Sequence, residues 1–374
     1  MDCSRIIMAY YNISTKNGII LPTMWLSVVF FYVRTTMDTK YFLCLFQVKE
    51  AVKILEFFKD IAKELQMVEK ELSDVVKTPN PLLTETSTHL LNAGGKRLRP
   101  ALCLLGAKFY NFDLQRILPL AAALELIHMA TLVHDDVVDA SLTRRGKPTV
   151  KAMWGNSIAT HIGSYLFAKS LMLIARYEYT PLISKVLADT SVNMCEGEIQ
   201  QIAASFDVKQ NLRNYLYRIK RKTAMLIAAS TQLGAVACGA SKSIYLPLYR
   251  YGHAVGMAFQ ITDDILDMVA DQREMGKPIG SDLRQGIITL PVIYALDTSR
   301  QRERLKELVA KPEKDDGELQ EAISIITSSG AIEQSLELVE KYIHKAKQAL
   351  KELPDRPTRL NLSLAADYVV IRKY

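Results

Sequence analysis

The chain has 374 residues, of which 49% are hydrophobic and 23% are charged. That length is enough for one large domain or two ordinary ones, and the apolar fraction can supply a sizeable core. The net charge of +7 is modest, and the sequence has neither zinc-finger spacing nor a long basic run, so no nucleic-acid partner is predicted. Five scattered cysteines without a CxxC pair favour a reducing compartment over a disulfide framework.

The first 47 residues differ in character from the rest of the chain. The apolar run at 19–33 contains Pro22 and is shorter than the roughly 20 residues that a membrane-spanning helix needs. It lacks the basic start and the small-residue cleavage site of a signal peptide. We therefore predict that residues 1–47 are a poorly ordered or peripheral apolar extension, which a start codon assigned upstream of Met37 would explain. One folded domain is predicted at 48–374.

Helical periodicity begins near residue 48 and recurs to the C-terminus. Apolar side chains from Val52 to Leu72 are spaced by three and four residues, which predicts an amphipathic helix over 48–76. Period-two alternation, the signal of strands, is nearly absent. The predicted fold class is therefore all-α, a single large helical bundle around a central cavity. In chain order, further helices are predicted at about 101–139, 150–176, 180–206, 209–238 and 243–271, with loops at 144–148 and 272–287 and a charged, solvated segment at 301–320.

Two aspartate clusters of the form DDxxD, at 135–139 and 263–267, are the most informative feature of the chain. On a helix, positions i and i+4 share a face, so each cluster presents two or three carboxylates to one small volume. Such carboxylates repel one another unless a cation neutralises them, and Mg²⁺ is often held by a few carboxylates plus substrate phosphates. If the two helices face each other, they can hold two or three Mg²⁺ ions around a diphosphate. The candidate metal ligands are Asp135, Asp136, Asp139, Asp263, Asp264 and Asp267.

Basic residues accompany the clusters in four separate groups. Gly94 and Gly95 precede the first group and let the backbone approach an anion closely. Arginine offers a planar fork that suits phosphate oxygens. One basic residue is usually a solvated surface charge, but four groups beside two metal-binding clusters indicate an anionic substrate. The groups are Lys96, Arg97 and Arg99; Arg144 and Arg145; Lys220, Arg221 and Lys222; and Lys277.

Five motifs, taken together and in order, resemble those of the trans-polyprenyl diphosphate synthases, which are isoprenoid synthases of type I. The similarity covers about residue 50 to the end and is greatest to the catalytic component (component II) of bacterial heptaprenyl diphosphate synthases. It implies an all-α isoprenoid synthase fold with a central substrate cavity. The motifs are GGKRLRP at 94–100, HDDVVDASLTRRGKPT at 134–149, RIKRKTA at 218–224, GMAFQITDDILD at 256–267 and GKPIGSDLRQGIITLP at 276–291.

The resemblance also implies a reaction and a division of labour. Isopentenyl diphosphate would condense head-to-tail with an allylic diphosphate, farnesyl diphosphate being expected, in a Mg²⁺-dependent step. The implied catalytic residues are Asp135, Asp136, Asp139, Asp263, Asp264, Lys222 and Lys277. The implied ligands of the allylic diphosphate are Arg144, Lys222, Thr223, Gln260 and Lys277, and those of isopentenyl diphosphate are Lys96, Arg99, His128 and Arg145.

Residues before the first cluster bear on product length. In the family, bulky side chains four and five positions upstream block the growing chain, whereas Thr131 and Ala130 here are small and Ile127 lies one turn deeper. A medium or long all-trans product is therefore expected, with heptaprenyl diphosphate for a quinone side chain as the prediction. One departure is Ser164, which stands where the family usually has aspartate after Gly163; it loses a charge without removing a primary ligand.

Two alternatives use the same residues differently. Terpene cyclases carry an Asn/Ser/Glu metal motif in place of the second DDxxD and lack the GGKRLRP loop, and both features here point away from cyclisation. A non-catalytic regulatory subunit usually lacks one aspartate cluster, and this chain keeps both. The resemblance implies a dimer, either a homodimer or a heterodimer with a small regulatory subunit. The expected location is cytoplasmic or membrane-peripheral, with the product released to the membrane.

Overall fold

The computed structural model describes residues 60–269 and 279–371, and these residues pack as one compact unit. The predicted N-terminal extension, its boundary with the domain, and Lys277 lie outside the described residues. The domain boundary near residue 48 therefore stays a prediction.

The described part is almost wholly helical, which confirms the predicted fold class. The first helices are α1 (Ala62–Val76), α2 (Pro81–Asn92), α3 (Leu98–Ala107), α4 (Leu114–Val138), α5 (Val150–Ile174), α6 (Pro181–Ala203), α7 (Leu212–Ile219), α8 (Met225–Ala237) and α9 (Lys242–Val269). The remainder are α10 (Ser281–Arg284), α11 (Leu290–Thr298), α12 (Arg302–Ala310), α13 (Asp316–Ser328), α14 (Ala331–Leu350) and α15 (Pro357–Ile371). A 3₁₀ turn at Ala175–Tyr177 follows α5, and a π-helical turn at Lys220–Ala224 joins α7 to α8.

The long helix predicted at 101–139 is two helices, α3 and α4, so that prediction was wrong in extent. The Asp113 side chain accepts a hydrogen bond from the Gln115 backbone N–H at 3.1 Å, which caps a new helix start. The apolar pattern hides this break because both helices are buried on most sides. Sequence periodicity alone cannot separate two buried helices that follow each other closely.

A short hairpin replaces the loop predicted at 144–148. Strands β1 (Thr143–Arg144) and β2 (Lys147–Pro148) pair antiparallel. Arg145 and Gly146 form the turn with φ values of 53° and 72°, as a two-residue hairpin of the primed type requires. This tight turn sets both predicted arginines beside the C-terminal end of α4.

Close helix packing positions the start of α3. Helix α4 is buried on every side over 117–127, and α8 is buried over 226–237, as expected for core helices that are apolar all round. Helices α3 and α8 approach backbone to backbone, because a Cβ at Gly106 would lie only 2.1 Å from the Thr231 carbonyl oxygen. The contact fixes the cation-rich N-terminus of α3 relative to α8 and to the π-helical turn before it.

Candidate active site

A cavity of about 680 Å³ lies among α3, α4, α7, α9 and the segment at 281–289. It brings together most of the residues that the sequence predicted, although they come from four separate motifs and, for His128, from the helix before the first aspartate cluster. The predicted residues in its lining are Lys96, Arg99, His128, Asp135, Asp139, Arg144, Arg145, Lys222, Thr223, Gln260, Asp263, Asp264 and Asp267.

The π-helical turn at Lys220–Ala224 explains how two consecutive residues reach the cavity. Such wide turns are uncommon and are frequent at functional sites. Lys222 Nζ lies 2.6 Å from Glu198 Oε2, and the Thr223 hydroxyl donates to Gln260 Oε1 at 2.7 Å. Burial would lower the pKa of Lys222, but the nearby carboxylates of Asp135 and Glu198 outweigh burial and raise it. The Lys222 ammonium is therefore a fixed positive charge on the cavity wall.

The first aspartate cluster divides between the cavity and the protein interior. Asp135 and Asp139 line the cavity, as their shared helix face predicts. Asp136 is buried and points elsewhere: its Oδ1 accepts from Arg144 Nε at 2.9 Å and pairs with Arg144 NH2 at 2.7 Å. A metal role for Asp136 stays a prediction, and it would require Arg144 to release this ion pair.

Neighbouring groups orient the second cluster. Asp264 accepts from the Tyr215 hydroxyl at 2.7 Å and from the Gln260 amide at 2.8 Å. Asp267 accepts from the Ser281 hydroxyl at 2.8 Å and from the Asp282 backbone N–H at 3.2 Å. These bonds tie the carboxylates on α9 to α7 and to α10.

Keeping these buried carboxylates ionised costs free energy, and a bound cation would lower that cost. Burial raises the pKa of Asp135 to about 6, although Lys222 lowers it. Burial and then the Asp282 charge raise the pKa of Asp264 to about 7. The donor set, carboxylate oxygens on two walls of one cavity, is the kind that Mg²⁺ prefers. No three His, Cys, Asp or Glu side chains among the described residues form a ready-made metal group.

The opposite side of the cavity is cationic. Burial lowers the pKa of Arg99 to about 10, so it stays charged at neutral pH, and among the described residues its Nε finds no hydrogen-bond partner. Burial, with Arg99 and Arg145 next, holds the pKa of His128 well below its usual range. His128 is therefore a neutral imidazole among arginines, and the region can accept an anion.

The residues predicted to set product length do not line the cavity that the structure describes. Ile127 and Ala130 are each 2% exposed within the core. The Thr131 hydroxyl donates to the His128 carbonyl oxygen at 2.8 Å. A chain that reached them would have to separate packed side chains, so their role stays a prediction.

The sequence and fold match known proteins across most of the chain. A family model described as polyprenyl synthetase matches residues 80–326. The heptaprenyl diphosphate synthase component 2 of Bacillus subtilis (strain 168) is 46% identical over 83% of this chain and 88% of its own length. The component 2 of Geobacillus stearothermophilus is 48% identical over 86% of this chain and 100% of its own. A crystal structure of the polyprenyl synthase from Caulobacter crescentus CB15, complexed with calcium and isoprenyl diphosphate, aligns with a TM-score of 0.82 and 33% identity, covering 86% of this chain and 98% of that one.

The chain belongs to the polyprenyl synthetase family. The family resemblance drawn from the five motifs is thereby confirmed, as are the isoprenoid synthase fold and the identity of the protein as a prenyltransferase.

Several residues of the synthase site escaped the sequence-based predictions. Tyr215 is fully buried and bonds Asp264. Arg218 lies under the Tyr215 ring, 5.6 Å from its centroid, and donates to the Ile288 carbonyl oxygen at 2.6 Å. A signal was present, because Tyr215, Arg218 and Lys222 are spaced by three and four residues and so share one helix face.

We expect Asp264→Asn to stabilise the metal-free synthase at pH 8 while reducing its activity. The folded-state pKa is raised to about 7, so between about pH 4 and 7 the native state binds more protons than the unfolded state and stability falls as pH rises. Asparagine removes this cost, for a gain of roughly 1–3 kcal/mol at pH 8. The gain should vanish below about pH 4, where the carboxyl is protonated in both states.

Urea denaturation in EDTA at both pH values measures this effect. Asp74→Asn is the control, since Lys77 lowers the pKa of the exposed Asp74 carboxyl and the same substitution there should give no gain. A lower stability of Asp264→Asn at pH 8 would contradict the idea that this carboxylate is held at a cost.

Proposed function

We propose that this synthase condenses isopentenyl diphosphate with farnesyl diphosphate, in a Mg²⁺-dependent reaction, to give all-trans heptaprenyl diphosphate for a quinone side chain. The observation that carries the proposal is one cavity with aspartates of both clusters on its walls and cations between and beside them. The two relatives at 46% and 48% identity support the product, because both are heptaprenyl diphosphate synthase components.

Asp135 and Asp139 on one wall, and Asp263, Asp264 and Asp267 on the other, would hold the Mg²⁺ ions. The raised pKa values of Asp135 and Asp264 support a cation there. Bound Mg²⁺ would neutralise charge that develops on the leaving diphosphate.

The chain's own cations would hold the allylic diphosphate. Lys222 and Arg144 line the cavity beside the first cluster. Fixed positive charges in a preorganised site stabilise negative charge as it grows on the leaving group. The Thr223–Gln260 hydrogen bond keeps two polar groups oriented toward the same region. The C–O bond of the allylic substrate would break with both electrons going to the diphosphate.

The second substrate would bind on the arginine side. Lys96, Arg99 and Arg145 offer cations to isopentenyl diphosphate, and neutral His128 offers a hydrogen bond. Its double bond would attack the allylic cation and form the new C–C bond, after which the released diphosphate takes the departing proton. No protein nucleophile is required. Apolar side chains in the lining, such as Phe259, would help to keep water from the cation.

Product analysis tests the proposal directly. The purified chain, or the chain with its partner subunit, is incubated with farnesyl diphosphate, labelled isopentenyl diphosphate and Mg²⁺, and the dephosphorylated products are separated. A ladder that ends at the heptaprenyl alcohol is expected. Asp135→Ala should lower turnover by orders of magnitude without unfolding the protein, while exposed Asp74→Ala should not. Near-normal turnover in Asp135→Ala would contradict the metal-binding assignment.

Ala130→Tyr should shorten the product. Ala130 lies on α4 five residues before Asp135, and a tyrosine ring there would fill the space that a growing chain would have to open between packed side chains. The same assay reads the chain length, and Ala310→Tyr, on the exposed end of α12, is the control. An unchanged product would show that Ala130 does not limit the chain.

We also propose that a small regulatory subunit covers an apolar stripe on α6. Ala188, Val192, Cys195, Ile199 and Ile202 are exposed and recur every three or four residues, so they share one face. Val192 is 58% exposed and Ile199 is 66% exposed. Helix α5 and its 3₁₀ turn precede α6 and together are long and apolar enough to span a membrane. Only 39% of their most apolar 18-residue stretch is buried inside the protein, so apolar surface is exposed there too.

Contiguous exposed apolar side chains are typical of an interaction site. The names of the two relatives support such a partner, because both are called component 2 of a heptaprenyl diphosphate synthase. The assembled enzyme is proposed to be cytoplasmic and to release its product to the membrane.

Ile199→Asp should separate the two subunits. A charge placed at the centre of an apolar interface costs several kcal/mol, so activity should be lost even when the partner is present. Light scattering gives the mass of each assembly, and Lys341→Asp, at an exposed position of α14, is the control. A wild-type chain that is fully active as a homodimer would overturn the regulatory-subunit proposal.

A further inference from the structure

One buried carboxylate on the cavity wall has no part in the proposed reaction. Glu125 lies on α4, one turn before His128, and is only 4% exposed. It lines the cavity on the cationic side, apart from the aspartates. Burying a carboxylate is costly unless it is paired, so its presence among substrate-binding arginines requires an explanation.

Arg97 provides part of the explanation. Its Nε donates to Glu69 Oε1 at 2.5 Å, and its NH2 donates to Glu69 Oε2 and to the Leu91 carbonyl oxygen, each at 3.2 Å. Its NH1 donates to Glu125 Oε1 at 3.1 Å. Residues from α1, α2 and α4 therefore hold one guanidinium at the start of α3. Glu69 and Glu125 both raise the pKa of Arg97 against the effect of burial, and because Glu69 binds it with both oxygens, Arg97 would keep a carboxylate partner without Glu125.

The charge of Glu125 also acts on the cations that face the cavity. Arg97 NH1, which bonds Glu125, and Arg145 NH1 lie beside the same glycine, because a Cβ at Gly95 would be 3.1 Å from the first atom and 2.6 Å from the second. The Arg145 guanidinium lowers the pKa of Arg99, and Arg144 and Arg97 lower the pKa of Arg145. For both Arg99 and Arg145 the Glu125 carboxylate is the strongest stabilising charge, since it raises pKa values that burial lowers. A carboxylate thus stands beside the two arginines that are expected to bind a diphosphate.

We propose that Glu125 is a positioning residue that takes the place of a diphosphate in the empty site: it holds Arg99 and Arg145 together and then competes with isopentenyl diphosphate for them. The inference rests on the proposed function of that arginine side. It has two consequences of opposite sign. Removing the charge should destabilise the ligand-free protein and strengthen its binding of an anion. A purely structural residue would not produce this combination.

Glu125→Gln tests both signs. Glutamine keeps an acceptor oxygen for Arg97 NH1 but removes the charge. The variant should melt at a lower temperature than the wild type without ligand. It should bind isopentenyl diphosphate about tenfold more tightly by calorimetry, in EDTA and without an allylic substrate, because one like charge no longer opposes the anion. With Mg²⁺ and farnesyl diphosphate, KM for isopentenyl diphosphate should fall in parallel.

Two controls separate charge from geometry. Glu69→Gln also removes a carboxylate from Arg97, but Glu69 does not line the cavity; it should lower the melting temperature and leave the dissociation constant unchanged. Glu125→Asp keeps the charge and should bind isopentenyl diphosphate as the wild type does. Tighter binding by Glu125→Asp, or binding by Glu125→Gln that is unchanged or weaker, would overturn the proposal.

A double variant provides a second test in case Glu125→Gln does not fold. Glu125→Gln/Arg145→Gln removes one charge of each sign, so it should fold and bind isopentenyl diphosphate without the tenfold gain. If it also fails to fold, shape rather than charge is decisive and the proposal is wrong. The binding and melting experiments do not depend on turnover, so an inactive wild type would count against the proposed function alone.

Discussion

The whole structure depends on keeping like charges together inside an apolar bundle. Asp136 and Asp264 on one side, and Arg97 and Glu125 on the other, are all less than a tenth exposed. An unpaired ion in such a place costs several kcal/mol, so each needs a partner held at hydrogen-bond distance. The partners come from different helices, as when Tyr215 on α7 binds Asp264 on α9. The charges therefore also act as cross-links that fix the helices around the cavity.

Backbone of unusual conformation also lies beside this cavity, where it directs charged side chains to their partners. Among the described residues, four other than glycine have positive φ, and three of them, Arg97, Ala140 and Arg145, lie in the loops beside it. Left-handed backbone costs free energy for a residue with a side chain. Here it turns Arg97 toward Glu69 and sends Arg145 back to the Gly94 carbonyl oxygen. The π-helical turn before α8 is a further irregularity, and it places Lys222 on the cavity wall.

Much of this arrangement could be predicted, because the charges stand in short motifs. Asp135 and Asp139 share a helix face by spacing alone, and the same spacing should have turned Asp136 away from them. Glu125 was harder to assign, since it sits between leucines in a run that reads as core. Its role depends on Glu69 and Arg97, which are distant in sequence. Similarly, the break between α3 and α4 depends on the Asp113 cap rather than on apolar period. Local patterns gave the candidate ligands, whereas contacts between helices decide which of them face the cavity.

The two halves of the cavity meet the same electrostatic problem in different ways. The basic half contains its own counter-ion, Glu125, so Arg99 and Arg145 remain together before any ligand arrives. In the acidic half, Lys222 and Arg144 act on Asp135, yet the carboxylates of the two clusters would repel an incoming diphosphate. Under the proposed function, cations must therefore enter the acidic half with or before the allylic substrate, whereas the arginine half needs none. Because an internal charge sets the affinity on one side and external ions set it on the other, the two diphosphates can be bound at different strengths within one cavity.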